Sequence, residues 1–230
     1  VVLDLRNNGG GSLAEAVEMT GLFLPAGPVV QVKEIRGIQA LSDPDPGILW
    51  SGPLVILVNR QSASASEILA AALQDYGRAL IVGDSKTHGK GTVQSLVNLD
   101  QRDPRLGSVK LTTASFHRIS GYSTQRRGVT PDIAVPSLLD ALEVGEEFLP
   151  NALPATRVPP LLYRTHPRLA SLTPLLRQRS EARQRDQPAF QRHRDLMAKL
   201  VQQQAQNSIS LNYAERLALS RSETDLQAMQ

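Results

Sequence analysis

The sequence predicts an α/β fold: a core of layered strands and helices over residues 1–150, followed by a proline-containing linker and a helical region over 151–230. Three features predict it. VVLDL (1–5) and PLVILVN (53–59) are continuous apolar runs bounded by turn residues, the pattern of strands buried on both faces. Segments with helical apolar spacing alternate with such runs, which is the order of an α/β layered domain. Beyond residue 166 the composition shifts to Leu, Arg, Gln and Ala, as in packed helices.

Each element has its own local reason. Residues 12–24 place Leu13, Val17, Leu22 and Phe23 at helical spacing, and the alanine-rich stretch 64–76 reads as a second helix. PVVQVKEI (28–35), RALIVGD (78–84) and SVKLTTASFHR (108–118) supply further strands, the last two partly alternating. GVTPDIAVP (128–136) reads as an extended return strand, and 137–147 as helical. The prolines of NALPATRVPPLL (151–162) favour an extended linker, where we place the domain boundary. Pro174 and Pro188 divide 166–204 into two or three helices.

At 230 residues, 41% hydrophobic and 20% charged, the composition is that of a globular chain able to bury a sizeable core. The absence of cysteine excludes disulfides, a thiolate nucleophile and cysteine-ligated zinc. Nucleophilic chemistry therefore falls to hydroxyls, carboxylates, amines or imidazoles. No apolar run approaches the ~18 residues that read as a membrane span, and no charged leader precedes an apolar segment, so we expect a soluble mature form. The opening VVLDLR, with no initiator methionine, reads as the middle of a core strand, and we expect a fragment or a processed product. Net charge is +3, but 164–199 holds nine Lys and Arg against three Asp and Glu, giving +6 there and −3 elsewhere. A solvated helical face and a docking surface both fit that run.

Chemistry concentrates in three places. In LDLRNNGGGS (3–12) a strand ends, Gly9, Gly10 and Gly11 follow, and Ser12 is placed to cap a helix. Such a loop bares backbone N–H groups beside a helix N-terminus, which suits an oxyanion hole or a phosphate cradle; a plain strand-to-helix turn fits it as well. The glycine spacing matches neither the Walker loop nor the dinucleotide fingerprint. Next, QSASASEILAAALQDYG (61–77) places serines at alternate positions before a helix. Ser64 with Glu67 is a capping box, yet a serine at a helix start also lies in positive backbone potential that stabilises an oxyanion. No G-x-S-x-G elbow surrounds any of the three.

A serine needs a base. THGKGTVQS (87–95) offers Lys90 between two glycines, and a lysine acts as a base only in its neutral form, which burial favours. The alternative base is His88, oriented by Asp75 or Asp84. His117, His166 and His193 have no comparable setting. No His or carboxylate pair shows metal-ligand spacing, so no metal and no cofactor are expected, and no nucleic-acid partner.

Taken together, strand-RNNGGG-helix, LVNRQSASASEILAAALQDYGRALIVGD, GKGTVQ and STQRRGVTPDI resemble the tail-specific, or C-terminal processing, serine proteases. LPNALP (149–154) and NSISLNYAERL (207–217) are similar to the periplasmic bacterial subfamily, which carries a helical domain after its protease core. The resemblance implies a crotonase/ClpP-like α/β core and a serine–lysine dyad, with Ser64 as nucleophile, Lys90 as base and Gln94 positioning the lysine. It implies an oxyanion hole from the N–H of Ala65 and a glycine of the N-G-G-G loop, Gly11 ahead of Gly10, with Asp75 in a supporting structural role. Protein substrates with apolar unstructured C-terminal tails, an upstream PDZ domain, a periplasmic location and a lipoprotein adaptor are further implications. A non-hydrolytic crotonase-like acyl-thioester enzyme and a non-catalytic peptide-binding or scaffolding module are the rival functions. The sequence departs from the family pattern in GDSKTHGKG, one residue longer than usual before the lysine, with a histidine in place of the aromatic that commonly precedes G-K-G.

Overall fold

The computed structural model describes residues 1–100, 103–205, 208 and 210–217. Expectations for Asn207, Ile209 and residues 218–230 lie outside the described residues. In chain order the elements are Val2–Asp4 (β1), Leu13–Gly21 (α1), Pro28–Glu34 (β2), Gly37–Ser42 (β3), Val55–Val58 (β4), Ala65–Asp75 (α2), Leu80–Gly83 (β5), Thr92–Asn98 (β6), Ser108–His117 (β7), Ile133–Ala134 (β8), Pro167–Asp186 (α3) and Pro188–Gln204 (α4).

The expected α/β architecture forms from two sheets. The apolar runs make a parallel sheet in the order β1-β4-β5-β8, with Leu3 opposite Ile56 and Ile56 opposite Ile81. An antiparallel sheet has the order β3-β2-β7-β6 and sets Val32 opposite Phe116. Helix α2 lies between them. Its Leu69, Ala70 and Leu73 pack with Ile56, Val58 and Ile81 of the parallel sheet, while Ile68 and Ala72 join Val29, Val30 and Phe116 of the other. A helix covered on both sides must be apolar all round, which is why residues 66–73 are continuously buried and rich in alanine. Truncating Leu73, which is fully buried, to alanine would cost about 2–5 kcal/mol.

Several elements differ from expectation. β3 and β6 form where no strand was expected; both have largely exposed side chains and so lack the alternation that marks a half-buried strand. Residues 137–147 do not form an α-helix but two short 3-10 turns, Leu138–Ala141 and Glu146–Phe148, with Gly145 at φ +151° before the second. The acidic side chains there bond to a neighbouring loop, described below. Among the described residues the C-terminal region has two long helices, within the two or three expected, with the break between them at Pro188. α3 runs through Pro174, held against the core by buried Ser180 and by Arg177 Nε and Gln184 Nε2, which donate to the carbonyls of Asp132 and Ala134 at 2.9 and 2.8 Å.

The proline-rich stretch is extended and lies along the core. Val158 N–H donates to Gly121 O and Leu161 N–H to Ile119 O, both at 2.9 Å. Tyr163 meets Tyr76 edge-on with ring centroids 5.4 Å apart. Among the described residues no helix is long and apolar enough to cross a membrane.

Candidate active site

The glycine loop after β1 and the serine turn before α2 are stitched together by the outer two serines. Ser62 Oγ donates to Leu5 O at 2.7 Å, and Ser66 Oγ donates to Asn8 O at 3.1 Å. Ala63 N–H reaches the same Asn8 carbonyl at 3.0 Å, and Asn59 and Asn7 exchange side-chain contacts across the turn, with Nδ2 to Oδ1 at 2.6 Å. Gly10 fits into this seam at φ +93°, where a Cβ would stand 2.5 Å from Ala63 O and 2.7 Å from Ala65 N. Only a residue without a side chain allows that approach.

Ser64 is the serine left facing outward. It is the N-cap residue of α2, with φ 58° and ψ −116°, a backbone state that costs a non-glycine residue about 1–3 kcal/mol. The Glu67 half of the expected capping box is made, since Ser64 N–H donates to Glu67 Oε2 at 2.9 Å. Glu67 N–H closes on the Ser64 carbonyl, also at 2.9 Å. The Ser64 side chain sits in capping-box position over that N–H without a side-chain cap hydrogen bond of its own.

Glu67 does more than cap. Its Oε1 accepts from Thr87 Oγ1 at 2.5 Å and Gly89 N–H at 2.8 Å, and its Oε2 accepts from Lys90 N–H at 2.9 Å. One carboxylate oxygen therefore holds the backbones of both Ser64 and Lys90. The group is wholly buried, and loss of hydration raises its pKa to about 7 against the opposing pull of these four donors. Local sequence showed only its cap. The three remaining partners lie 20–23 residues away, and only the fold reveals them.

Ser64, Ala65, Lys90, Gln94 and Gly11 line one cleft of about 330 Å³, with Ile68, Val93 and Phe116 among its apolar walls. Lys90 Nζ lies 3.5 Å from Gln94 Oε1, and its backbone carbonyl accepts from Thr124 Oγ1 at 2.9 Å. Gly10 N–H already donates to Asn8 Oδ1 at 2.9 Å. Among the described residues nothing accepts from the N–H groups of Gly11 and Ala65. Such unpaired donors at a helix N-terminus are suited to a developing negative charge.

The remaining candidates sit elsewhere. Asp75 ends α2, eleven residues beyond Ser64 and so roughly 16 Å along the helix. It forms a two-point ion pair with Arg118, at 2.6 and 3.1 Å, and accepts from Ser120 Oγ at 3.0 Å. Asp84 accepts from Arg60 N–H at 2.8 Å, and burial raises its pKa. His88 is paired with Glu146 at 3.5 Å, so neither aspartate orients it.

Model-based comparison identifies residues 1–135 as peptidase family S41 and residues 139–230 as the C-terminal domain of tail-specific protease. The chain belongs to peptidase family S41. This family of serine peptidases includes relatives of closely similar sequence. The tail-specific protease of Haemophilus influenzae is 45% identical over 170 residues, covering 71% of this chain and 24% of the relative. The carboxy-terminal-processing protease of Bartonella bacilliformis is 43% identical over 136 residues, covering 58% and 30%. Among solved structures, the photosystem II D1 C-terminal processing protease matches with a TM-score of 0.52 and 38% identity, over 58% of this chain and 34% of that one. The chain thus spans between 24% and 30% of the length of these two S41 relatives.

Proposed function

We propose that this chain carries the catalytic centre of a serine endopeptidase that acts on proteins through apolar, unstructured C-terminal tails. The observation that supports it most directly is the shared Glu67 carboxylate, which fixes Ser64 and Lys90 on the wall of one cleft. Lys90 in its neutral form takes the Ser64 hydroxyl proton, and the serine oxygen attacks the peptide carbonyl. The N–H groups of Ala65 and Gly11 hold the oxyanion; Gly10, its own N–H engaged, shapes the hole from behind. Lys90 then protonates the leaving amine and activates water to release the acyl group, while Gln94 orients the ammonium through its side-chain oxygen. β6 ends the antiparallel sheet and runs from the Lys90 loop past Gln94, so its free edge can receive a substrate tail as an added strand. Asp75 braces α2 through Arg118 without touching the chemistry.

Residues 1–150 are read as the catalytic core, and 151–230 as linker and helical domain. An envelope location with a lipoprotein adaptor follows from the resemblance. The test is cleavage of an unfolded-tail substrate by the intact protein and its Ser64→Ala, Lys90→Ala and His88→Ala variants. Loss of activity in the first two, with His88→Ala retaining most of it, is expected. Undiminished cleavage by Ser64→Ala or Lys90→Ala would overturn the dyad and leave a binding module as the better description.

A further inference from the structure

The loop that carries Lys90 is held on its outer side by the acidic segment 137–148, which begins after the S41 match ends at residue 135. Asp140 accepts from Ser85 N–H at 3.1 Å and from Ser85 Oγ at 2.5 Å. Glu147 pairs with Lys86 at 2.6 Å and with buried Arg60 at 3.3 Å. Glu146 contacts the residues that flank Lys90. Its N–H donates to His88 O at 2.9 Å and its Oε2 pairs with His88 Nε2 at 3.5 Å. Its Oε1 accepts from Gln125 Nε2 at 3.0 Å, and Gln125 Oε1 in turn accepts from Gly91 N–H at 2.8 Å.

We infer that Glu146 is a positioning residue for Lys90, bracketing it through His88 on one side and through Gln125 and Gly91 on the other. Asp140 and Glu147 anchor the preceding residues Ser85 and Lys86. The contacts fall on the stretch where the loop is longer than the family pattern and where histidine replaces an aromatic. Glu67 holds this loop through the N–H groups of Gly89 and Lys90, and the acidic segment holds it through Ser85, Lys86 and His88. The residues that open the match to the C-terminal domain of tail-specific protease, from 139 onward, thereby brace the lysine loop of the core.

This inference rests on Lys90 being the base, and the experiment separates the two. In the intact protein, Glu146→Ala removes both side-chain links, whereas Glu146→Gln keeps an oxygen for Gln125. Small displacements of a reacting group cost up to about 100-fold in rate. We expect Glu146→Ala to lower kcat about 10- to 100-fold with KM within about 2-fold, and to slow fluorophosphonate labelling of Ser64 in parallel. Glu146→Gln recovers most of the loss, which a general fall in stability would not predict. Circular dichroism and thermal melts confirm that both variants are folded. If Lys90→Ala is inactive while Glu146→Ala cleaves and labels at the parental rate, the positioning role is wrong and the dyad stands. If Lys90→Ala is active, the dyad itself is wrong. A loss in Glu146→Ala that Glu146→Gln fails to recover, or that falls on KM alone, also overturns the positioning role.

Discussion

Replacing Glu67 with glutamine tests the part of the site that the fold assembles from the greatest sequence distance. Glutamine is nearly isosteric but presents one oxygen where the carboxylate presents two. If that oxygen keeps Ser64 and Lys90, the new NH2 faces Thr87 Oγ1, which can accept, and Gly89 N–H, which cannot. One buried N–H is left unpaired, at about 1–3 kcal/mol regardless of pH. The carboxylate adds a pH-dependent contribution. Its pKa is about 7 when folded, against an ordinary 4.5. Between those values the folded chain retains a proton that the unfolded chain has released, so the contribution is full below pH 4.5 and lost as pH rises through about 7. At about 1.4 kcal/mol per pH unit, that loss amounts to about 3 kcal/mol. Equilibrium urea unfolding of the parent and Glu67→Gln from pH 4.5 to 8 should show the parent's advantage shrinking by this amount. An advantage that stays constant across the range refutes the reasoning, whatever its size.

Three further substitutions probe the glycine loop beside Ser64 and the far end of α2. Gly10→Ala puts a Cβ 2.7 Å from Ala65 N at φ +93°, and should cost about 1–3 kcal/mol in stability and slow fluorophosphonate labelling at least 10-fold; Gly11→Ala, whose Cβ meets nothing within 4 Å, should label within about 3-fold of the parent. Asp75→Ala leaves the largely buried Arg118 guanidinium without its carboxylate and should cost about 3–5 kcal/mol. A thermal melt should fall by at least about 6 °C, and an unchanged melt would show that the pair contributes nothing net.

How much of this was legible depends on the distance over which each feature is determined. The parallel strands were readable from their continuous apolar runs, but burial explains only PLVILVN, since VVLDL lies at the edge of the sheet with Val2 64% exposed. The serine turn and glycine loop were readable because a turn chooses its residues locally. β6, in contrast, belongs to an exposed edge whose side chains from Gln94 to Asn98 face solvent, so pairing with β7 leaves no apolar signature. The segment 137–147 has the composition of a helix, but Asp140, Glu146 and Glu147 bond to the loop before Lys90 instead, and no local pattern announces a partner 55 to 61 residues away. Of the two prolines that left two or three helices open, Pro174 does not divide α3, because docking against β8 sustains the helix through it.

On the proposed reading, the capping box and the nucleophile are not competing descriptions of S-A-S-A-S-E. A serine whose hydroxyl alone served as the cap would be tied down, but here Glu67 accepts from the Ser64 N–H at 2.9 Å, so the helix end does not depend on the Ser64 hydroxyl alone. That arrangement needs a backbone state unfavourable by about 1–3 kcal/mol, and such a state persists only where its surroundings fix it. Ser62 and Ser66, two residues to either side, supply the fixing by donating to Leu5 and Asn8, and Gly10 closes the seam beneath. The alternation of serines is then a division of labour. The outer hydroxyls hold the strained turn to the glycine loop, and the middle serine is left on the wall of the cleft. On this account Ser62→Ala should disable the site almost as thoroughly as Ser64→Ala while leaving the hydroxyl of Ser64 in place. Full fluorophosphonate labelling in Ser62→Ala would show that the turn keeps its shape without that bond.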